Sequence, residues 1–366
     1  MTGPARGATP PSLSDGGFRR TFASDNFAGV HPEVLDAVAR ANMGHATSYG
    51  DDPVTAQAVD LFRARFGATA QVFLTFNGTG ANVVGLSSML RPWEAVVCSA
   101  NSHIYVDECA APERFLGGKL VPISTPDGKL TRELVEVVLV GIGDEHRVQP
   151  RVVSITESTE LGTCYTIDEI ASLTDWSHGH GLLVHLDGAR LSNAAASLDS
   201  DLDAFGAAGV DVLSYGGTKN GAMAAEAVVS FLPDAADHLR YIRKQSMQLA
   251  SKMRFVAAQF VALLSDDLWR QNATYANTMA RRLAEGVRAV PEVEIVHPVE
   301  ANGVFASLPR SAIQAVQREF PFYVWQSEKG PRDIVRWMTS FDTTTDDVDD
   351  FVSAIARATS GAGAAV

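Results

Sequence analysis

The chain has 366 residues, 46% of them hydrophobic, and a formal net charge of -13 at pH 7. This length suits one large domain with a smaller one rather than a single small core. Because no Lys/Arg-rich run offsets the acidic balance, nucleic acid and anionic membrane surfaces are poor partners for this chain.

The cysteines and the N-terminal residues indicate the cellular compartment of the protein. Cys98, Cys109 and Cys164 are odd in number and lack Cys-x-x-Cys spacing, which argues against a disulfide framework or a zinc knuckle and favours a reducing cytoplasm. Residues 1–17 are rich in Gly, Pro, Ser and Thr, and they predict a disordered tail rather than a signal peptide. No apolar run reaches the roughly 18 residues that a membrane span requires.

Beyond the tail, short β-rich runs alternate with stretches whose apolar residues have helical spacing. Residues 32–42 and 54–66 are the first such helices, and a turn-rich loop at 49–53 separates them. The alternation predicts an α/β fold with a mostly parallel seven-stranded sheet in a domain covering residues 18–271. The predicted strands are 71–76, 95–98, 119–123, 151–156, 182–186, 210–214 and 227–232.

The last part of the chain has a different pattern. A helical pattern runs from 239 to 264, and residues 272–366 then mix helices with short strands, which predicts a small α+β C-terminal domain. Its predicted elements are helices 278–290 and 346–358 and strands 293–297, 304–308 and 334–339.

Two charged motifs follow neighbouring predicted strands. Asp187 and Arg190 come directly after the run 182–186, and Lys219 follows the next run in a Gly-rich loop. Ligands of open parallel sheets bind at the carboxyl ends of the strands. Pyridoxal 5'-phosphate needs a lysine for its Schiff base and an acid that keeps the pyridine nitrogen protonated. The pair predicts such a site, although a surface turn and a solvated lysine would explain each motif taken alone.

Three further sequence features are each compatible with more than one role. The small-residue turn 77–82 precedes a helical pattern at 83–90 and could bind a phosphate, but it lacks the dinucleotide and P-loop spacings. His103 follows a strand and could lie over a cofactor ring or simply cap a helix. Arg336 lies in an apolar strand, which indicates a bound carboxylate or an ion pair.

Taken in order, these motifs resemble the L-threonine aldolases, of the β-eliminating lyase group within fold type I pyridoxal-phosphate enzymes. The resemblance covers residues 23–358. Its markers are Ser24-Asp25-Asn26, Tyr49-Gly50-Asp51-Asp52-Pro53, Gly78-Thr79-Gly80-Ala81-Asn82, Ser102-His103, Asp187-Gly188-Ala189-Arg190, Thr218-Lys219 and Val335-Arg336.

The resemblance implies a role for each matched residue. Lys219 would carry the cofactor, Asp187 would hold the pyridine nitrogen, and His103 would stack on the ring. Further cofactor contacts would come from Gly78, Thr79, Arg190, Thr218 and Arg254, and substrate contacts from Ser24, Tyr49, Arg190 and Arg336.

The implied activity is cleavage of L-threonine and L-allo-threonine to glycine and acetaldehyde, together with the reverse addition. The implied assembly is a homo-oligomer, dimer or tetramer, with the site at the subunit interface and with Tyr49 and Arg254 contributed by the neighbour. Many members have a second histidine where this chain has Glu160. We therefore predict that Glu160 takes part in catalysis with His103, and the identity of the base stays open.

Two alternatives differ in chemistry. Within the same cofactor class, the enzyme could be a lyase or transaldolase acting on another β-hydroxy amino acid such as phenylserine. From another class, a metal-dependent hydrolase could use His178, His180, His185 and Asp187 as ligands. The solvated end of a helix explains His178 and His180 more simply, and the metal hypothesis gives Lys219 no role.

Overall fold

The computed structural model describes residues 21–362, so the tail predicted for residues 1–17 lies outside the described residues. Cα proximity groups the chain into two compact units. The large unit comprises Val30–Glu160 and Cys164–Gln271, and the C-terminal unit comprises residues 21–29, Leu161–Thr163 and residues 272–362. Residues 21–29, which the sequence assigns to the large domain, thus group with the C-terminal unit, and the domain boundaries stay a prediction.

The large unit is built on one sheet of seven strands. These are β1 (Gln71–Thr75), β2 (Glu94–Ser99), β3 (Lys119–Ile123), β4 (Gln149–Thr156), β5 (Leu183–Gly188), β6 (Val212–Gly216) and β7 (Glu226–Ser230). Their order is β1-β7-β6-β5-β4-β2-β3, and in this sheet only β7 runs antiparallel to its neighbours. The predicted α/β fold with a mostly parallel seven-stranded sheet is confirmed.

Both faces of this sheet are buried. Val152 and Val212 belong to one apolar cluster, whereas the next residues along the same strands, Val153 and Leu213, belong to another. Successive strand residues point to opposite faces, so each cluster is the core under one layer of helices. Because both faces of the sheet are buried under helices, the strand sequences are continuous apolar runs.

Helices connect the strands of the large unit. They are α1 (Pro32–Ala41), α2 (Pro53–Phe66), α3 (Gly78–Ser87), α4 (His103–Val106), α5 (Ala111–Leu116), α6 (Arg132–Glu136), α7 (Ile167–Gly179), α8 (Leu191–Leu198), α9 (Asp203–Ala207), α10 (Ala236–Gln245) and α11 (Arg254–Leu264). Side-chain caps begin α1, α2, α3 and α7. Thr166 and Glu169 form a reciprocal capping box at α7, and Asp52 caps α2 ahead of Pro53.

The continuous helix predicted for 239–264 is wrong. The chain leaves the helix after Gln245, Met247 adopts a left-handed φ of 62°, and α11 begins only at Arg254. Gln248 in this break is buried, and its Oε1 accepts a hydrogen bond from the backbone N–H of Phe76 (3.2 Å). A contact with a residue distant in sequence therefore interrupts a helix that local periodicity favours.

The C-terminal unit has its own antiparallel sheet in the order β10-β11-β9-β8. Its elements, preceded by the long helix α12 (Leu268–Arg288), are β8 (Glu294–Ile295), β9 (Gly303–Pro309), α13 (Arg310–Val316), β10 (Tyr323–Ser327), β11 (Arg332–Met338) and α14 (Thr345–Ala362). The predicted start of the first helix at 278 is ten residues late. The edge strand β10 was not predicted, because a register shift between Val324 and Gln326 breaks its alternation. Within residues 21–362, no helix combines the length and apolarity needed to cross a membrane.

Candidate active site

The carboxyl end of β5 places Asp187 in the interior of the large unit. Asp187 is 4% exposed. Its Oδ1 accepts a hydrogen bond from the backbone N–H of Ala189 (3.0 Å), and its Oδ2 accepts one from Nδ2 of Asn82 (2.9 Å). Two neutral donors, one from the turn after β5 and one from α3, thus orient a buried carboxylate.

Asn82 connects Asp187 to a second buried acid. Its Nδ2 also donates to Oε1 of Glu108 (2.8 Å), and the same oxygen lies 2.8 Å from Nδ1 of His103. Glu108 is 4% exposed, whereas the imidazole of His103, the first residue of α4, is half-buried. The four side chains form one continuous hydrogen-bonded chain from a half-buried imidazole to the interior carboxylate.

The charges around His103 act in opposite directions. Burial lowers the pKa of the imidazole, but the hydrogen bond to Glu108 and the charge of Asp187 outweigh it, so the pKa of His103 is raised. The charge of Lys219 opposes this rise. His103 therefore lies within the electrostatic reach of both Asp187 and Lys219.

Glu160, which follows the end of β4, contacts the backbone of His103. Its Oε1 accepts hydrogen bonds from the backbone N–H of His103 (2.7 Å) and from Oγ1 of Thr156 (3.2 Å). Its Oε2 is buried and has no hydrogen-bond partner within the described residues. Burial, with the charge of Asp187, raises the pKa of Glu160 to about 7. Such a carboxyl can accept or donate a proton near neutral pH.

Lys219 lies in a short 3-10 helix, Thr218–Asn220, directly after β6. Its charge lowers the pKa of both His103 and Glu226. Glu226 begins β7 and is buried, and its carboxylate accepts hydrogen bonds from the side chain and the backbone of Thr218. Burial nevertheless dominates and raises the pKa of Glu226 to about 7.

Glycines allow the ends of β5 and β6 to approach each other. A Cβ added to Gly216 would lie 2.5 Å from the carbonyl oxygen of Ala189, and one on Gly188 would lie 2.8 Å from that of Ser214. Backbone atoms cannot move aside as a flexible side chain can. The absence of side chains at these glycines therefore sets the spacing between the strand carrying Asp187 and the strand leading to Lys219.

The predicted phosphate turn forms the first turn of α3 itself, which begins at Gly78 rather than after residue 82. Asn77 is the N-cap, and its Oδ1 accepts a hydrogen bond from the N–H of Gly80 (2.6 Å). A Cβ added to Gly78 would meet nothing within 4 Å. Gly78 and Thr79 thus stand at a helix N-terminus beside open space, where N–H groups and the helix dipole favour an anion.

Three other predicted residues lie at two places in the large unit. Arg190 immediately precedes α8, and its backbone N–H donates to the carbonyl oxygen of Glu157 (3.2 Å), beside the end of β4. Tyr49 is exposed, and Nζ of Lys244 lies 5.0 Å from its ring centroid. Arg254 begins α11, and its Nη2 donates to the carbonyl oxygen of Gly44 (3.4 Å). The described contacts of Tyr49 and Arg254 thus involve the loop after α1 and the segment around α10 and α11.

The two remaining predicted residues belong to the C-terminal unit. Ser24 caps the 3-10 helix Asp25–Phe27, where its Oγ accepts a hydrogen bond from the N–H of Asn26 (3.2 Å). Arg336 lies in β11, and its guanidinium carbon is 4.8 Å from the ring centroid of Trp325. Their substrate contacts stay predictions.

The histidines of the metal hypothesis face different partners. Nε2 of His178 lies 2.9 Å from Oδ2 of Asp211, and Nδ1 of His180 lies 2.8 Å from the carbonyl oxygen of Trp176. His185 is buried among serine hydroxyls, and burial lowers its pKa to about 4. In the part of the chain from 21 to 362, no three His, Cys, Asp or Glu side chains are grouped to hold a metal ion.

Glu108, Asn82 and Glu226 were not predicted as site residues. Asn82 ends the small-residue turn that the sequence singles out, whereas Glu108 lies five residues after the predicted His103. Only their spatial contacts with Asp187 and with each other distinguish them. Glu226 gives a weak signal in the sequence, as an acid at the start of an apolar run.

With the geometry described, the chain can be compared with known proteins. A family model described as beta-eliminating lyase matches residues 21–310. The chain belongs to the β-eliminating lyase family. The resemblance inferred from the ordered motifs is thereby confirmed.

Named relatives of this family are similar over most of the chain. A low specificity L-threonine aldolase of Pseudomonas aeruginosa is 45% identical over 324 residues, which are 88% of this chain and 94% of that protein. A solved structure of threonine aldolase from Leishmania major is 33% identical, has a TM-score of 0.88, and covers 93% of this chain and 99% of its own.

More distant structures share the fold. A high-resolution structure of SPT with PLP has a TM-score of 0.69 at 14% identity, and the match covers 93% of this chain and 87% of that one. At this identity the likeness shows a common architecture.

Proposed function

We propose that the protein is a low-specificity L-threonine aldolase that depends on pyridoxal 5'-phosphate. It cleaves L-threonine and L-allo-threonine to glycine and acetaldehyde and catalyses the reverse addition. The observation that carries the proposal is the hydrogen-bonded chain from His103 to Asp187 at the carboxyl end of β5, with Lys219 in the segment that follows the paired strand β6. The relative from Pseudomonas aeruginosa, which bears this activity in its name, supports the same conclusion.

The residues fit the cofactor. An acid, an imidazole and a primary amine form the donor set, and Oε2 of Glu160 is a buried polar atom beside them that a bound group can satisfy. Lys219 would hold the cofactor carbon, Asp187 the pyridine nitrogen, and Gly78, Thr79 and Thr218 the phosphate, with Arg254 on the phosphate side. When bound, the cofactor supplies an electron sink for cleavage at the substrate Cα.

The chain's own side chains would orient the amino acid. In this proposal Arg190 and Arg336 bind the substrate carboxylate, with Ser24 and Tyr49 nearby. A guanidinium fork binds a carboxylate in a fixed plane, so it determines which bond at Cα faces the cofactor and imposes the L configuration. Because neither His103 nor Glu160 would have to grip Cβ in one configuration, both threonine diastereomers are substrates.

The proton of the β-hydroxyl must pass to a group within hydrogen-bond reach. His103 and Glu160 are the two proposed acceptors, and they are joined through the backbone N–H of His103. With a pKa of about 7, Glu160 is partly protonated at neutral pH and can accept a proton or donate a hydrogen bond. We include a cytoplasmic, homo-oligomeric enzyme in the proposal, in keeping with three free cysteines, of which Cys109 is exposed.

A substrate panel tests the proposal. The purified protein, supplied with the cofactor, is incubated with L-threonine, L-allo-threonine, D-threonine or L-phenylserine, and the released glycine and aldehyde are measured. We expect cleavage of both L-threonine diastereomers and not of the D form, and Lys219→Ala should abolish it. The exposed Lys329→Ala variant is the matched control and should keep the parental rate. Glycine release by Lys219→Ala at the parental rate would overturn the role of Lys219, and release from phenylserine alone would overturn the substrate.

A further inference from the structure

The hydrogen-bonded chain from His103 to Asp187 contains an acid, Glu108, to which the proposed function gives no role. We propose that Glu108 is a positioning residue that keeps the proton of the neutral His103 ring on Nδ1, so that Nε2 is the nitrogen able to accept a proton from the substrate. The catalytic consequence rests on the proposed aldolase function. Which nitrogen of the His103 ring carries the proton does not depend on that function.

The donors around Glu108 determine this arrangement. One hydrogen of the Asn82 amide goes to Oδ2 of Asp187 (2.9 Å) and the other to Oε1 of Glu108 (2.8 Å). The opposite amide orientation would set its oxygen against two carboxylate oxygens, so the NH2 group must lie between them. Oε1 of Glu108 then accepts from Asn82, and Nδ1 of His103, at 2.8 Å from that oxygen, is the second donor to it.

The surroundings strengthen the contact. The side chain of Glu108 has 0% exposure, and within the described residues its Oε2 is buried without a hydrogen-bond partner. Water does not compete for Oε1, so its attraction for the imidazole is larger than at a surface. The charged groups that face the ring are Glu108, Asp187, Glu160 and Lys219, and their balance raises the pKa of His103 against the effect of burial.

The chemical consequence concerns one proton. The O–H bond of the substrate β-hydroxyl breaks as an Nε2–H bond forms, and the electron pair left on oxygen forms the second bond of the aldehyde carbonyl. The Cα–Cβ bond breaks at the same time, and its electron pair stays with the Cα side, where it later takes up a proton. The resulting imidazolium of His103 is stabilised by Glu108 through Nδ1–H. A proton is returned to Cα when glycine forms, so the reaction needs no further reactant.

Nuclear magnetic resonance of the histidine rings tests the proposal without any measurement of activity. The full-length protein is labelled with 15N and 13C in histidine, and the ring signals of His103 are those that His103→Asn removes. In the parent, we expect the 15N shifts of neutral His103 to show a protonated Nδ1 and an unprotonated Nε2. A proton on Nε2 in the parent would overturn the proposal, whatever the variants do.

Two variants separate charge from hydrogen bonding. Glu108→Gln keeps an amide oxygen for Nδ1 but removes the charge, so the pKa of His103 should fall while Nδ1 keeps its proton. Glu108→Leu removes the acceptor, so Nε2 should become protonated. The exposed Glu136→Gln is the control for the loss of one negative charge and should leave the His103 signals unchanged. A proton that stays on Nδ1 in Glu108→Leu contradicts the positioning role, and an unchanged pKa in Glu108→Gln contradicts the stabilisation of the imidazolium by the charge of Glu108.

The pH profile of aldolase turnover reports the catalytic consequence. A base must be unprotonated, so in Glu108→Gln the acidic limb of kcat/KM should move to lower pH with the pKa of His103. We expect kcat to fall about tenfold to 100-fold, part of what a positioned base contributes. An absence of all aldolase activity in the parent would refute the proposed function while the ring measurement still decides the role of Glu108. A shifted ring pKa with an unmoved acidic limb would refute the use of Nε2 as the acceptor.

Discussion

Burial shifts the pKa of three ionisable side chains in the large unit. Glu226 and Glu160 both have a pKa of about 7, because burial penalises the charged form of a carboxyl. The same cause acts in the opposite sense on His185, whose pKa falls to about 4. Burial shifts all three groups toward the neutral form, so the ionisation of each affects the stability of the fold as well as the chemistry of the site.

Glu226 should make stability depend on pH. Its folded pKa of about 7 exceeds the unfolded value of about 4.5, so its contribution is fully present below pH 4.5 and is lost as the pH rises through 7. Relative to Glu226→Gln, the parent should lose roughly 3 kcal/mol in free energy of unfolding between pH 4.5 and 8. Urea denaturation of the cofactor-free proteins measures this difference.

An exposed acid provides the control for this measurement. The difference between Glu145→Gln and the parent should stay constant across the same pH range, because the residue is exposed. A constant difference for Glu226→Gln as well would show that Glu226 is not the source of the pH dependence.

At the scale of elements, two strand ends and the turns after them determine the positions of Asp187 and Lys219. β5 and β6 are paired in parallel, with Asp187 opposite Ser214 and Gly188 opposite Tyr215. Gly216 then lets the chain pass within van der Waals contact of Ala189. The backbone therefore sets the spacing between the strand that carries Asp187 and the segment that carries Lys219.

A methyl group at Gly216 should disturb this spacing. In Gly216→Ala the new Cβ would overlap backbone atoms of Ala189, and we expect a loss of about 1–3 kcal/mol in free energy of unfolding, the range for overpacking. The bound cofactor should also absorb more weakly, because Lys219 moves relative to Asp187. Denaturant midpoints and visible spectra provide the measurements.

A glycine in open space is the matched control. A Cβ at Gly179, the last residue of α7, meets nothing within 4 Å, so Gly179→Ala should be neutral or slightly stabilising. Equal effects of the two alanine substitutions would mean that the close approach at Gly216 does not matter.

At the scale of the whole molecule, the proposed homo-oligomer would have Tyr49 and Arg254 serve the site of a neighbouring subunit. Large apolar side chains are exposed near the predicted interface residues Tyr49 and Arg254. Met43 is 81% exposed and Met247 66% exposed, and Arg254 donates to the carbonyl of Gly44.

Complementation between inactive chains tests a shared site. If Arg254 serves the neighbour, a mixed dimer of Lys219→Ala and Arg254→Ala chains has one intact site, and it should regain about half the parental activity by symmetry. Co-expression with two affinity tags isolates the mixed oligomers, and light scattering gives their mass.

Two results would contradict the shared site. Mixed oligomers as inactive as either variant would place Lys219 and Arg254 of one chain in the same site. A fully active monomer would exclude the oligomer altogether.

Local pattern was enough for much of the fold. Short apolar runs that alternate with stretches of helical periodicity predicted all seven strands of the large sheet within a few residues. The runs are continuously apolar because these strands are buried on both faces. The break between α10 and α11 was missed, since Gln248 makes its contact with Phe76, distant in sequence. Only residues brought together by the fold could reveal it.

The candidate site also contains some residues that the sequence pattern predicts and others that only the tertiary structure reveals. Asp187 and Lys219 could be predicted from the sequence because Asp187 stands at the carboxyl end of an apolar run and Lys219 shortly after the next one, and the carboxyl ends of neighbouring parallel strands meet at one edge. Glu108 and Asn82 carry no comparable local signal. Their importance arises from hydrogen bonds between α3, β5 and the segment after α4, so only the tertiary structure decides which acid orients His103 and which amide joins it to Asp187.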